Sequence, residues 1–173
     1  MIIKSVKSTK LSEKDIYSIC KLKNTFWKYG LKSNLSWFKK NIKNNDIHNI
    51  LYISDKIIGY TLLRKRLCLI NHKKHRYLYF DTLIIDKNFR KKKLGNILMH
   101  FNNEIIKQEN NHSFLICKKK LSSFYKKYNW TNLKNKDFNI LDYQNEVKSN
   151  RSKEKKINSE IIGMRFNYQL KKI

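Results

Sequence analysis

The segment Leu83-Ile84-Ile85-Asp86-Lys87-Asn88-Phe89-Arg90-Lys91-Lys92-Lys93-Leu94-Gly95-Asn96 is where this sequence could do chemistry. An apolar strand ends, a basic loop crosses, and a helix begins at once. The first turn of a helix offers unpaired N–H groups and the positive end of the dipole, so it can hold a phosphate. A loop whose successive N–H groups point inward forms an anion nest. Arg90, Lys91, Lys92 and Lys93 add cationic charge. The segment is thus a candidate diphosphate cradle. The competing reading is a solvated basic turn that only caps a helix, and four basic residues carry little weight in so lysine-rich a chain.

Other chemistries lack their residues. His48, His72, His75, His100 and His112 show no metal-ligand spacing. Cys20, Cys68 and Cys117 are far apart and form no CxxC pair, so they read as buried thiols in a reducing, cytoplasmic compartment. There is no nucleophile elbow and no Walker loop.

The elements around the segment follow from pattern. Ile2 to Val6 is a strand candidate. Ser12 to Asp15 resembles a capping box, and Ile16, Ile19, Cys20, Phe26 and Trp27 follow at helical spacing, so a helix is expected to about Tyr29. Gly30 stops it. A second helix is expected from Ser33 or Asn34, burying Leu35, Phe38 and Ile42. Asn49–Ser54 and Ile57–Arg66 form a hairpin about Asp55-Lys56, and Arg76–Ile85 is the most strand-like stretch. Leu94, Ile97, Leu98, Phe101 and Ile105 mark a helix. His112–Cys117 is a strand, and Ser122 caps a short helix with Phe124, Tyr125 and Tyr128. Strand candidates at Trp130–Leu133, Phe138–Leu141 and Glu160–Tyr168 close the chain, with a charged loop at Asn145–Ser159. The alternation argues for one α/β or α+β domain over residues 1–173, built on a mixed sheet.

Composition bounds the partners. The 173 residues carry a formal net charge of +26, with no Ala, no Pro and only four Gly. Lys, Ile and Asn use A/T-rich codons, so a biased genome accounts for the charge as well as a polyanionic partner does. Either way an acidic ligand is attracted. There is no apolar run of about 18 residues for a membrane span, and the N-terminus lacks a signal-peptide pattern.

The cradle segment resembles the acyl-CoA-binding motif of the GNAT superfamily, Arg/Gln-x-x-Gly-x-Gly/Ala, with Arg90 to Gly95 in its places. Phe124-Tyr125-Lys126-Lys127-Tyr128-Asn129-Trp130 is similar to that family's Phe-Tyr-x-x-x-Gly-Phe segment. The resemblance is firm over residues 50–133 and looser outside them. Three positions depart: Lys93 and Asn129 stand where the family has glycine, and Lys119 where many members have asparagine. A left-handed backbone at position 93 would disfavour lysine, while asparagine tolerates it at 129.

The resemblance implies a GNAT-like α+β domain, with a mostly antiparallel mixed sheet, a splayed parallel strand pair and flanking helices. It implies an N-acetyltransferase that uses acetyl-CoA as co-substrate, without metal. The backbone at Leu83, Ile84 and Ile85 would bind the pantetheine arm. Arg90 and the N–H groups of Lys91, Lys92, Lys93, Leu94, Gly95 and Asn96 would hold the pyrophosphate. Tyr125 takes the place of the proton donor to the departing thiolate. Asp81 is the candidate base, set on the face of Leu83 and Ile85 by strand alternation; an ion pair with a lysine, or an acceptor-binding role, competes for it. The implied partner is a small-molecule amine such as an amino sugar or amino acid, with a homodimer left open. One rival is a basic nucleic-acid-binding module, which does not explain the paired motifs; the other is a GNAT-fold protein that has lost catalysis, which Lys93 and Lys119 keep open.

Overall fold

The structure, a computed structural model of the 173-residue chain, describes residues 1–70, 73–133 and 161–168. Two expected features, the strand at 138–141 and the charged loop at 145–159, lie outside the described residues. The architecture is α+β, with a mixed and mostly antiparallel seven-stranded arrangement and four helices among the described residues. The chain divides into two compact units, one over Met1–Ser113 and one over Phe114–Tyr168.

In the first unit, β1 (Ile2–Lys7), β2 (Ile47–Ile53), β3 (Lys56–Ile70) and β4 (Lys73–Ile85) pair antiparallel in that order. Helices α1 (Glu13–Phe26) and α2 (Leu31–Asn41) pack on one face, α3 (Leu94–Glu109) on the other. The alternation of β2 divides the core: Ile50 meets Ile19, Leu22 and Phe38, while Leu51 meets Ile58, Leu94 and Leu98. The α1 start is the expected capping box, with Ser12 Oγ accepting Asp15 N–H and the Asp15 carboxylate accepting Ser12 N–H. The helix ends at Phe26, three residues earlier than expected, because Asn24 Oδ1 accepts the N–H of Gly30, whose φ is +87°. Pairing with β2 stops at Leu63, yet β3 and β4 stay paired to Ile70 and Lys73. The resulting ribbon is longer than its lysines suggest, because the cross-strand ladder outweighs the low strand propensity of lysine.

A buried polar chain sits under β1. Tyr60 OH lies 2.7 Å from His48 Nδ1, His48 Nε2 lies 2.8 Å from Ser8 Oγ, and Ser8 Oγ donates to Asp46 O at 3.2 Å. Since Ser8 spends its proton on Asp46, the neutral tautomer carries its proton on Nε2 and accepts from Tyr60 on Nδ1. Burial pushes the imidazole down to about 4, with Asp46 opposing and Lys23 reinforcing the shift. In this window the unfolded chain binds more protons than the fold. Stability is therefore intact above pH 6.5 and falls as pH drops toward 4, by roughly 3 kcal/mol in all. Urea unfolding of His48→Gln beside the parent, at pH 7 and pH 5, tests this. An equal acid loss in both proteins would exclude His48 as the cause.

The second unit holds β5 (His112–Lys118, whose first two residues precede the unit boundary), α4 (Ser122–Lys126), β6 (Trp130–Asn132) and β7 (Ile161–Phe166). β7 pairs antiparallel with β5 on one side and β6 on the other. Trp130, Phe166 and Tyr168 stack in sequence, with centroids 5.4 and 5.0 Å apart. No helix among the described residues is long and apolar enough to cross a membrane.

Candidate functional site

The end of β4 is fixed by close packing. A Cβ on Gly59 of β3 would lie 2.8 Å from Leu98 and 2.9 Å from Ile85, so glycine is what lets α3 approach the sheet. Leu83, Ile85 and Phe89 pack on the Leu51, Ile58, Leu94 and Leu98 cluster, while Ile84 joins the core under α1 and α2. Beyond the strand, Asp86 N–H donates to Ile58 O at 2.7 Å, and the Asp86 carboxylate accepts Asn88 N–H and pairs with Lys56 at 3.3 Å. Arg90 Nε donates to Ile85 O at 3.1 Å, and its guanidinium lies over the Phe26 ring at 5.7 Å. The side chain expected to meet a phosphate thus ties the loop to β4 and α1.

The next residues form a row of amides. Lys91 has a φ of +63° and Lys93 of +56°, so the chain turns through the left-handed region twice before α3. Among the described residues, no main-chain N–H from Lys91 to Gly95 makes a hydrogen bond of good geometry to another main-chain group. The N–H of Asn96 does, donating to Lys93 O at 2.9 Å. The expected donor set is therefore five amides with Asn96 engaged elsewhere. A Cβ at Gly95 would meet no protein atom within 4 Å, so the protein leaves the row open. Five open amides, a helix dipole and four cationic side chains fit a diphosphate.

The lysine at 93 therefore occupies the conformation glycine prefers. The left-handed region costs an L-residue about 1–2 kcal/mol, partly offset by the freedom glycine loses on folding. Lys93→Gly is expected to raise the unfolding free energy by about 1 kcal/mol, read as a higher urea midpoint at unchanged slope. A lowered midpoint would show that the lysine side chain stabilises the turn.

Asp81 is placed differently from the alternation argument. β3 and β4 slip register here: Leu62 faces Thr82 and Leu63 faces Phe80, leaving Asp81 as the extra residue of a β-bulge. The bulge turns it away from the face of Leu83 and Ile85. Its Oδ2 accepts Arg64 Nη1 at 2.8 Å, and its Oδ1 accepts Thr82 Oγ1 at 3.2 Å. Arg64 in turn lies over the Trp37 ring of α2 at 5.5 Å and the Tyr79 ring at 6.0 Å. The ion partner is thus an arginine of the neighbouring strand.

Lys23 was not expected here. It is 7% exposed on α1, with Nζ 3.9 Å from the Trp37 centroid and 5.8 Å from that of Trp27. Burial lowers its pKa, and nearby Asp81 opposes that shift. The signal was available: Ile16, Ile19, Cys20, Lys23 and Trp27 share one helical stripe, and a lysine on a buried stripe is unusual.

In the second unit, Tyr125 is half-buried on α4, edge-on to Phe124 at 5.2 Å and to Trp130 at 6.5 Å. Burial, with a smaller contribution from Cys117, pushes its phenol up to about 12. Asn129 has a φ of +62°, the left-handed turn that asparagine tolerates, and its carbonyl accepts Asn167 N–H at 2.8 Å. Among the described residues no His, Cys, Asp and Glu group could hold a metal ion.

The sequence matches the family described as "Acetyltransferase (GNAT) domain" over residues 11–139. No curated protein matches it by sequence. Among solved structures it is similar to Escherichia coli ElaA, at 13% identity and TM-score 0.67, over 96% of this chain and 99% of that one. An acyl-CoA N-acyltransferase from Pseudomonas aeruginosa gives 13% identity and TM-score 0.66, over 96% and 100%. PaiA N-acetyltransferase from Thermoplasma acidophilum, solved in complex with coenzyme A, gives 16% identity and TM-score 0.57, over 97% and 100%. At such identities the likeness is one of fold.

Proposed function

Since the chain belongs to the GNAT acetyltransferase family, we propose that it is an acetyl-CoA-dependent N-acetyltransferase acting on the primary amine of a small molecule, such as an amino sugar or amino acid. The observation that carries this reading is the row of five open amides from Lys91 to Gly95 at the head of α3. A coenzyme A diphosphate has the charge and the acceptor oxygens that such a row can satisfy. A solved relative of this fold holds coenzyme A, which supports the same ligand here. Backbone groups of Leu83, Ile84 and Ile85 are assigned to the pantetheine arm on the family resemblance. Arg90 and the lysines at 91, 92 and 93 add attraction for the phosphates.

Transfer is direct, in a ternary complex. The neutral amine of the acceptor attacks the thioester carbonyl, a C–N bond forms and the C–S bond breaks. The thiolate leaves with a proton, and the amine loses one. We assign the donated proton to Tyr125, on the resemblance, and the accepted one to Asp81, directly or through water. We read residues 1–173 as one acetyltransferase domain of a reducing, cytoplasmic compartment, in keeping with the buried free thiols Cys20 and Cys117.

Isothermal titration with acetyl-CoA, desacetylated CoA and ATP tests the reading. Saturable 1:1 binding is expected for acetyl-CoA, with ATP weakest. No binding to any of the three, together with steeply salt-dependent binding of generic RNA, would replace an enzyme with a nucleic-acid-binding protein.

A further inference from the structure

We propose that the face around Trp37 binds a carboxylate on the acceptor, so that the acetylated substrate is an amine that carries its own carboxylate. This rests on the acetyltransferase reading and narrows it to one substrate class.

Among the described residues of this face, Lys23 has no carboxylate in contact, and one N–H of Arg64 has no acceptor. Lys23 is 93% buried. Among the described residues its Nζ has no carboxylate and no hydrogen-bond acceptor within bonding distance, only the rings of Trp37 and Trp27. Arg64 Nε is fully buried with no hydrogen-bond partner, although the same guanidinium bonds Asp81 through Nη1. Both cations lie against the Trp37 indole, at 3.9 Å for Lys23 Nζ and 5.5 Å for Arg64 Cζ. A buried ammonium is unfavourable unless paired. Cation–π contact returns about 2 kcal/mol or somewhat more when desolvated, which offsets only part of that cost. The site therefore holds a cation that its own residues leave unneutralised, and the lowered pKa of Lys23 reflects the same desolvation.

The charge balance selects the ligand. Lys23 and Arg64 are positive and Asp81 is negative, so the cluster carries one net positive charge. A carboxylate neutralises it and offers an oxygen to Lys23 Nζ, the cation that lies against the Trp37 ring. A phosphate dianion would leave an uncompensated negative charge beside Asp81. Asp81 retains acceptor capacity for the ammonium end of the same molecule, since each of its oxygens has one protein donor. Trp27, Trp37 and Tyr79 supply apolar surface for the carbon skeleton between the two charges.

The test follows free-thiol release from acetyl-CoA with a pool of the twenty L-amino acids and, separately, a pool of their carboxamides. Amino acid amides have less basic amines, so at neutral pH they are the better acceptors if the carboxylate is not recognised. The acids are expected to react faster by about tenfold. Lys23→Met keeps the apolar stem against the indoles; it is expected to raise KM for the acids about tenfold or more and bring the acid-to-amide ratio to one or below. Lys23→Arg should restore much of the ratio. A purely packing role would alter urea stability and leave the ratio untouched. Acetyl-CoA binding with amides equal to or faster than acids would overturn this inference while sparing the acetyltransferase reading. If acetyl-CoA does not bind, tryptophan fluorescence titrated with the amino acid pool still reads the face. A saturable change that Lys23→Met abolishes supports the carboxylate site, and no saturable change overturns it.

Discussion

Replacing Tyr125 by phenylalanine is expected to lower kcat by about 100-fold or more, the ordinary contribution of a positioned proton donor, while acetyl-CoA affinity stays nearly constant. The substitution removes one hydroxyl and keeps the ring, so the edge-on contacts with Phe124 and Trp130 survive. The burial that holds the phenol near 12 makes it a weaker acid than free tyrosine, but guarantees that it carries a proton at every accessible pH. The wild-type rate should therefore show no alkaline limb from this group below about pH 11. Thiol release at saturating substrates, in parallel with titration of acetyl-CoA, separates the two effects. A kcat within a factor of about two of wild type would take Tyr125 out of the reaction.

Asp46→Ala should lower stability by about 3–5 kcal/mol, because it strips the counter-ion from a buried arginine. Asp46 is fully buried. Its Oδ1 accepts Arg66 Nη1 at 2.7 Å and Lys65 N–H at 2.9 Å, and its Oδ2 accepts Arg66 Nη2 at 3.1 Å and Lys43 N–H at 3.0 Å. Without the carboxylate, two main-chain donors and a guanidinium whose side chain is only 16% exposed lose their partner. A domain has about 5–15 kcal/mol in total, so the variant stands near unfolding at 37 °C. Arg66 Nη2 also donates to Asn41 O at 3.0 Å, where Arg64 Nη2 reaches the same carbonyl at 3.5 Å. Loss of Asp46 therefore frees the C-terminus of α2 and loosens Arg64 beside Asp81. A urea midpoint lowered by the equivalent of less than about 1 kcal/mol would show that solvent replaces the carboxylate.

Local chemistry made much of this legible in the sequence. The Ser12 and Asp15 cap and the apolar stripe of α3 each depend on residues a few positions apart. The strand end, basic loop and helix start over residues 83–96 were legible for the same reason, since they are consecutive. Asp81 was misplaced because a bulge is a property of two strands: nothing near it in sequence signals that Leu62 and Leu63 will face Thr82 and Phe80. Arg64 stayed invisible because its meaning comes from Trp37 and Asp81, which are distant in the chain, whereas Lys23 was signalled only by its place on a buried stripe. The left-handed turn at Lys91 was hidden by composition, because glycine, its usual marker, is almost absent, and the one at Lys93 was signalled only by the family motif's glycine.

That scarcity has a thermal consequence. Ser54, Lys91, Lys93, Asn110 and Asn129 all hold backbone conformations suited to glycine. Each non-glycine residue so placed forfeits up to about 1–2 kcal/mol, the asparagines least. Every kilocalorie given up lowers a domain of this size by about 2–4 °C in melting temperature. The margin of the whole domain against heat is thus thinned at its connections.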